Sequence, residues 1–221
     1  MSETSVTTPV SGRDPHDGDA SDWGEFAAEV ADQVESFVLA VREIAAGQSP
    51  ETAVSLLLLE VSQVLLAGAR LGAVQDVVPV ERFEPDTGGD ADLDGIRSAL
   101  AGLLDPVDEY VEVFDPYADS PEVVTTSLSD DIADVVLDLV HGLQHYKAGR
   151  TVEALWWWQF SYLSNWGSTA SAALRALQSV IGHVRLDATI GRDEESVQED
   201  RLLAQTAAEA VAPPVDYVPR R

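Results

Sequence analysis

Apolar residues recur every three or four positions along most of the chain. Between Ser21 and Ala45 the series Phe26, Val30, Val34, Phe37, Val41 and Ile44 keeps that spacing. An α-helix turns about 100° per residue, so this series forms one stripe. Ser21 or Asp22 suits the helix start and Gly47 its end. A second helix opens at Ser49 before Pro50 and runs to about Gly72, since proline is tolerated in a first turn whose N–H groups have no helical partner. Its apolar residues, among them Leu56 to Leu59, Val61, Val64, Leu65 and Leu66, point in every direction. Such a helix is expected in the middle of a bundle.

Pro79, Pro85, Gly88 and Gly89 then mark a long surface loop over 75–89. Leu93, Ile96, Leu100, Leu103 and Leu104 predict a third helix over Ala91–Leu104, with Asp92 and Asp94 near the positive end of its dipole. From Tyr110 to Phe114, Val111 and Val113 alternate with Glu112 as in a strand. No partner strand is evident, and an irregular connection through Asp115-Pro116 and Ser120-Pro121 is expected instead. The fourth helix runs from Ser127 or Ser129 to Ala148, with Ser127 and Asp130 at capping-box spacing and Gly149 as its stop. A fifth extends from Thr151 to about Val184 with a bend at Gly167. These elements predict an all-α fold, an antiparallel bundle of about five helices over 21–188. A disordered acidic tail over 1–20 precedes it. A weakly amphipathic helix near 193–210 and an extended, proline-bearing tail follow within 189–221.

Charge narrows the partners. Lys and Arg number 13 against 39 Asp and Glu, a formal charge of −26. A surface this negative repels nucleic-acid phosphates and anionic lipids, so direct binding to either is disfavoured. It suits basic proteins, including the case in which the chain imitates the charge of DNA. The absence of Cys excludes disulfides, thiolate metal sites and Cys nucleophiles. Met1 to Asp22 lacks the basic start and apolar run of a secretory signal. Glu60, Gln63, Gly68 and Arg70 interrupt the most apolar stretch, Val54 to Leu71, which argues against a membrane span. A cytoplasmic location is the resulting expectation.

Asp134, Asp138, His141 and His145 lie four, three and four residues apart, the spacing of metal ligands on a helix. Angular counting gathers Val135, Val136, Leu139, Leu143 and Tyr146 around Ile132 and puts the Asp and His residues on the far side. A solvated face is therefore expected, and an ion there would need ligands from a further element. A magnesium-dependent all-α phosphohydrolase is an alternative reading, but it needs carboxylates aimed inward. Glu25, Glu29, Asp32 and Glu35 sit opposite the first helix's apolar stripe, while Asp105, Asp108, Glu109 and Glu112 lie in the irregular connection. No serine nucleophile elbow or phosphate-cradling loop is present, and no cofactor is expected.

The aromatic run Leu155-Trp156-Trp157-Trp158-Gln159-Phe160, with Tyr162 and Trp166, reads first as core. Gln159 falls inside its apolar stripe, so internal hydrogen-bond partners are expected. Trp157 falls opposite, near one line with Phe160, Ser164, Ser168 and Arg175. Those five residues form a candidate face for a protein partner or a second copy, since Trp and Arg dominate interface hot spots. Burial against another helix of the same chain is the competing reading.

Gly142, Tyr146, Gly149, Glu153 and Ala154 resemble the helical hairpin of a tetratricopeptide repeat, although the pattern does not recur one repeat later. More specifically, Ser127-Leu128-Ser129-Asp130-Asp131-Ile132-Ala133-Asp134, Gly142-Leu143, Tyr146, Glu153-Ala154, Trp156, Trp158, Phe160, Trp166-Gly167 and Ala173-Leu174-Arg175-Ala176-Leu177 resemble an actinobacterial family known only as domain of unknown function 5063. The resemblance covers roughly Trp23 to His183. It implies a bacterial cytoplasmic protein with an all-α domain, and it carries no activity with it.

Overall fold

The computed structural model of the chain describes residues 15–79, 85, 89, 91–113 and 117–186. The chain divides into two compact units, residues 1–179 and 180–221. Of the second, only 180–186 are described. The expected helix over 193–210, the extended C-terminal tail and the first fourteen residues lie outside the described residues.

The fold is all-α with one small sheet. Helix α1 spans Pro15–Ala45, six residues earlier than Ser21. A single 3-10 turn, Pro50–Thr52, leads into α2, Ala53–Ala73. Then come α3 (Asp94–Leu104), strands β1 (Glu109–Val113) and β2 (Val123–Ser127), and α4 (Leu128–Lys147). The expected fifth helix is α5 (Thr151–Ser161), a π-helical turn (Tyr162–Trp166) and α6 (Gly167–Arg185).

The predicted stops act as expected. Gly149 has φ 76°, its N–H donates to Tyr146 O (2.9 Å), and Arg150 N–H reaches His145 O (3.0 Å). This 6→1 closure needs a left-handed residue, which glycine takes without a Cβ clash. Ser127 Oγ accepts from Asp130 N–H (3.3 Å) and donates to Asp130 Oδ2 (2.7 Å). Asp108 completes the cap from outside the helix, accepting from Ser129 N–H (2.8 Å) and Ser129 Oγ (2.7 Å). It is a charged acceptor at the positive end of a helix dipole.

Helix α4 is the hub, packed against α5 on one side and α3 and α1 on the other. Helix α2 departs from expectation. Leu57, Val61, Val64 and Leu71 are buried, but Leu56, Leu59 and Leu66 are exposed. Its neighbours among the described residues are α1, α5, the π-helical turn and, more slightly, α3, which leave the side bearing Leu56, Leu59 and Leu66 open, at the edge of the bundle rather than its middle. By length and composition Pro50–Ala73 matches a membrane-crossing helix, with 33% of its most apolar window buried in this fold.

The region expected to be irregular forms an antiparallel hairpin in which Tyr110 faces Thr126 and Glu112 faces Val124. The missed partner is Val123-Val124-Thr125-Thr126, a β-branched run. Strand side chains alternate between faces, so Tyr110, Glu112, Val124 and Thr126 share one face. Those four are half-buried, while Val111, Val123 and Thr125 look outward.

Candidate functional site

The ligand-spaced row on α4 does not form a solvated face. His145 is fully buried, His141 and Asp138 are half-buried, and only Asp134 is exposed. The physical reason is the second layer of helix: α5 covers the side of α4 that a one-helix calculation leaves open. Each group is also engaged differently. Arg97 of α3 pairs with Asp130 (2.8 Å) and Asp134 (3.0 Å). Asp138 Oδ2 accepts from Asn165 Nδ2 at 2.7 Å. The His141 ring lies over Trp157 with centroids 4.1 Å apart, and its edge meets His145 at 5.2 Å. Among the described residues, no three His, Cys, Asp or Glu side chains are gathered to hold a metal ion. Asp131, inward-facing and unnoticed in the sequence, is 9% exposed. It accepts from Tyr110 Oη (2.5 Å) and Thr126 Oγ1 (2.9 Å).

Burial raises the Asp138 carboxyl above the usual carboxylate range, the Asn165 amide acts against this, and the Asp134 charge adds to it. A carboxyl raised by folding adds stability that is fully present below its unfolded value, about 3.9, and lost as pH rises through the folded value. Asp138→Asn retains an acceptor for Asn165 and has no charge to bury. Thermal melts are expected to show the variant above wild type at neutral pH, with the gap closing on acidification below the ordinary carboxylate value. A variant less stable than wild type at neutral pH would contradict this.

Of the five residues proposed as one face, Trp157, Phe160 and Ser164 stay together, with the Trp157 and Phe160 ring centroids 6.4 Å apart, whereas Ser168 and Arg175 turn towards the hairpin. Trp157 is half-buried on His141, and its indole N–H donates to Asp138 O at 2.8 Å. Phe160 is 52% exposed and Leu163 65%. Phe160 stacks on the half-buried Trp156, with centroids 5.7 Å apart and planes at 14°. Ser164 is exposed and donates to Phe160 O (2.8 Å), and Ser168 donates to Asn165 O (2.8 Å). Arg175 is exposed and pairs with Glu112 across to β1 at 2.6 Å. Angular counting misplaced the later residues because the π-helical turn inserts extra backbone between Phe160 and Ser168. Gln159, by contrast, meets its expectation. Its Oε1 accepts from Val77 N–H (2.8 Å), and its Nε2 donates to Leu71 O (2.8 Å) and Gln75 O (3.3 Å).

A family model described as a domain of unknown function (DUF5063) matches residues 21–183. The crystal structure of protein BF1032 from Bacteroides fragilis is similar with a TM-score of 0.57 at 20% identity, over 69% of this chain and 90% of that one. At that identity the likeness concerns the fold alone. No curated protein matches the chain.

Proposed function

We propose, from the premise that the chain belongs to the DUF5063 family, that it is a non-enzymatic protein-interaction module which docks a basic protein on the exposed Phe160–Leu163 face, where α5 passes into the π-helical turn. The observation that carries this reading is the exposure of both residues beside the stacked Trp156, at 52% and 65%. On the inner side, buried Leu155, Trp158 and Gln159 anchor α5, and buried Trp166 anchors the π-helical turn that carries Leu163. A rigid aromatic anchor loses little side-chain entropy on binding, and such anchors supply most of the energy of protein contacts. The charge of −26 selects the occupant. An apolar centre framed by Lys and Arg on the partner is attracted over a Debye length, whereas an acidic partner is repelled.

The test compares proteins co-purified from the native host by the wild-type chain, by Phe160→Asp/Leu163→Asp and by the control Val123→Asp on the outer face of the hairpin. A basic partner is expected to be retained by wild type and control and released at moderate salt. Binding by the double variant is expected to fall by about 30-fold or more, since hot-spot losses reach ~2 kcal/mol, with helical circular dichroism unchanged. Undiminished retention by the double variant would overturn the reading.

A further inference from the structure

A small pocket of about 150 Å³ lies where the hairpin meets the start of α4 and the first turns of α6. The inward face of the hairpin supplies Tyr110, Glu112 and Thr126, α4 supplies Asp131, and α6 supplies Ser168 and Thr169. Its hydrogen-bonding capacity is one-sided. Every one of the four hydroxyls donates within the chain: Tyr110 and Thr126 to Asp131, and Ser168 and Thr169 to Asn165 O, at 2.5, 2.9, 2.8 and 3.3 Å. A hydroxyl has one proton to give and two lone pairs, so what remains for a ligand is acceptor capacity. The two carboxylates, Asp131 and Glu112, add acceptors and negative charge. A ligand matched to this lining brings several N–H donors and a positive charge.

Two further features fix the class. Val124 and Ala172 also line the pocket, giving an alkyl stem apolar contact beside the carboxylates. On the next turn of α6, Arg175 places its guanidinium on Glu112 Oε2 at 2.6 Å, so a rim carboxylate of this pocket already receives a guanidinium from the chain itself. Drug-sized ligands occupy roughly 300–1,000 Å³, and this volume suits a head group of a few heavy atoms instead. We propose that the pocket binds a guanidinium or alkylammonium head group, with Asp131 and Glu112 as its counter-charges and Arg175 as a resident competitor at the rim. The site stands apart from the α5 face, because neither Phe160 nor Leu163 lines it.

The test titrates methylguanidinium and n-propylammonium chloride into the full chain and follows backbone amide NMR shifts, with potassium chloride at matched ionic strength as the blank. Saturable shifts are expected at Thr126, Asp131, Ser168 and Thr169, absent from the blank. Glu112→Gln is expected to weaken binding about tenfold, the loss of one charge-assisted contact. Arg175→Ala is expected to tighten it severalfold, because the competing guanidinium is gone. Capped tripeptides centred on Arg or Lys distinguish the source: binding at the same four amides identifies the side chain of a protein, and exclusion of the peptides while the small cations still bind identifies a free amine. Non-saturating shifts shared with the blank, or a Glu112→Gln variant that binds as wild type does, would overturn the assignment.

Discussion

Gly142→Ala is expected to destabilise the protein by about 2–4 kcal/mol, although alanine is the better helix former by about 1 kcal/mol. A Cβ at Gly142 would lie 2.1 Å from Trp158 Nε1 and 2.4 Å from Trp158 Cδ1. That ring is fully buried, and its indole N–H is held on Leu139 O at 3.1 Å. It has no vacant space to enter, so relief requires moving α5 away from α4 along the most extensive helix contact in the fold. Forcing a methyl group into a packed core usually costs about 1–3 kcal/mol, and displacing the indole puts its hydrogen bond at risk for about 1 kcal/mol more. Chemical denaturation checks the value. Adding Trp158→Phe, which removes the nitrogen edge, is expected to make the double variant more stable than the sum of the two single losses. A Gly142→Ala variant more stable than wild type would mean that the two helices do not meet this closely.

Gln159→Leu is expected to destabilise by about 2–4 kcal/mol with almost no change in side-chain volume. Gln159 is 4% exposed and ties α5 to the end of α2 and to the segment that follows it, through Leu71 O, Gln75 O and Val77 N–H. Leucine leaves a buried donor and buried acceptors unsatisfied, each costing about 1–3 kcal/mol unless the segment moves to reach water. The local signature is therefore as informative as the global one. Amide exchange at Val77 is expected to accelerate far more than exchange in the centre of α4, and equal protection of Val77 in both proteins would contradict the role given to Gln159.

These particulars divide what a linear pattern conveys from what it omits. Helix stops are local events, so Gly47, Gly149 and Ser127 could be assigned from their neighbours alone, and the structure agrees at each. A polar residue inside an apolar stripe is likewise a local signal, and it identified Gln159. How many neighbours a helix has is not local. α4 carries a polar side that a second helix covers, while α2 carries an apolar side left exposed among the described residues, and periodicity alone read both the wrong way round. Asp131 escaped notice for a related reason: its partners Tyr110 and Thr126 belong to a hairpin whose second strand went unrecognised. The π-helical turn defeats extrapolation differently, because one wide turn rotates every later residue away from its α-helical angle. Ser168 and Arg175 accordingly belong with the hairpin, and Phe160 with Leu163.

The central claim is that the exposed face formed by Phe160 of α5 and Leu163 of the π-helical turn is occupied by a basic protein. It is tested most directly by placing a photo-crosslinking benzoylphenylalanine at position 163 in the native host and, as the comparison, at position 123. An adduct with a Lys- and Arg-rich protein is expected from position 163, absent from position 123 and lost when Phe160→Asp is added. The same adducts from both positions, an adduct between two copies of this chain, or an adduct that survives Phe160→Asp would contradict it.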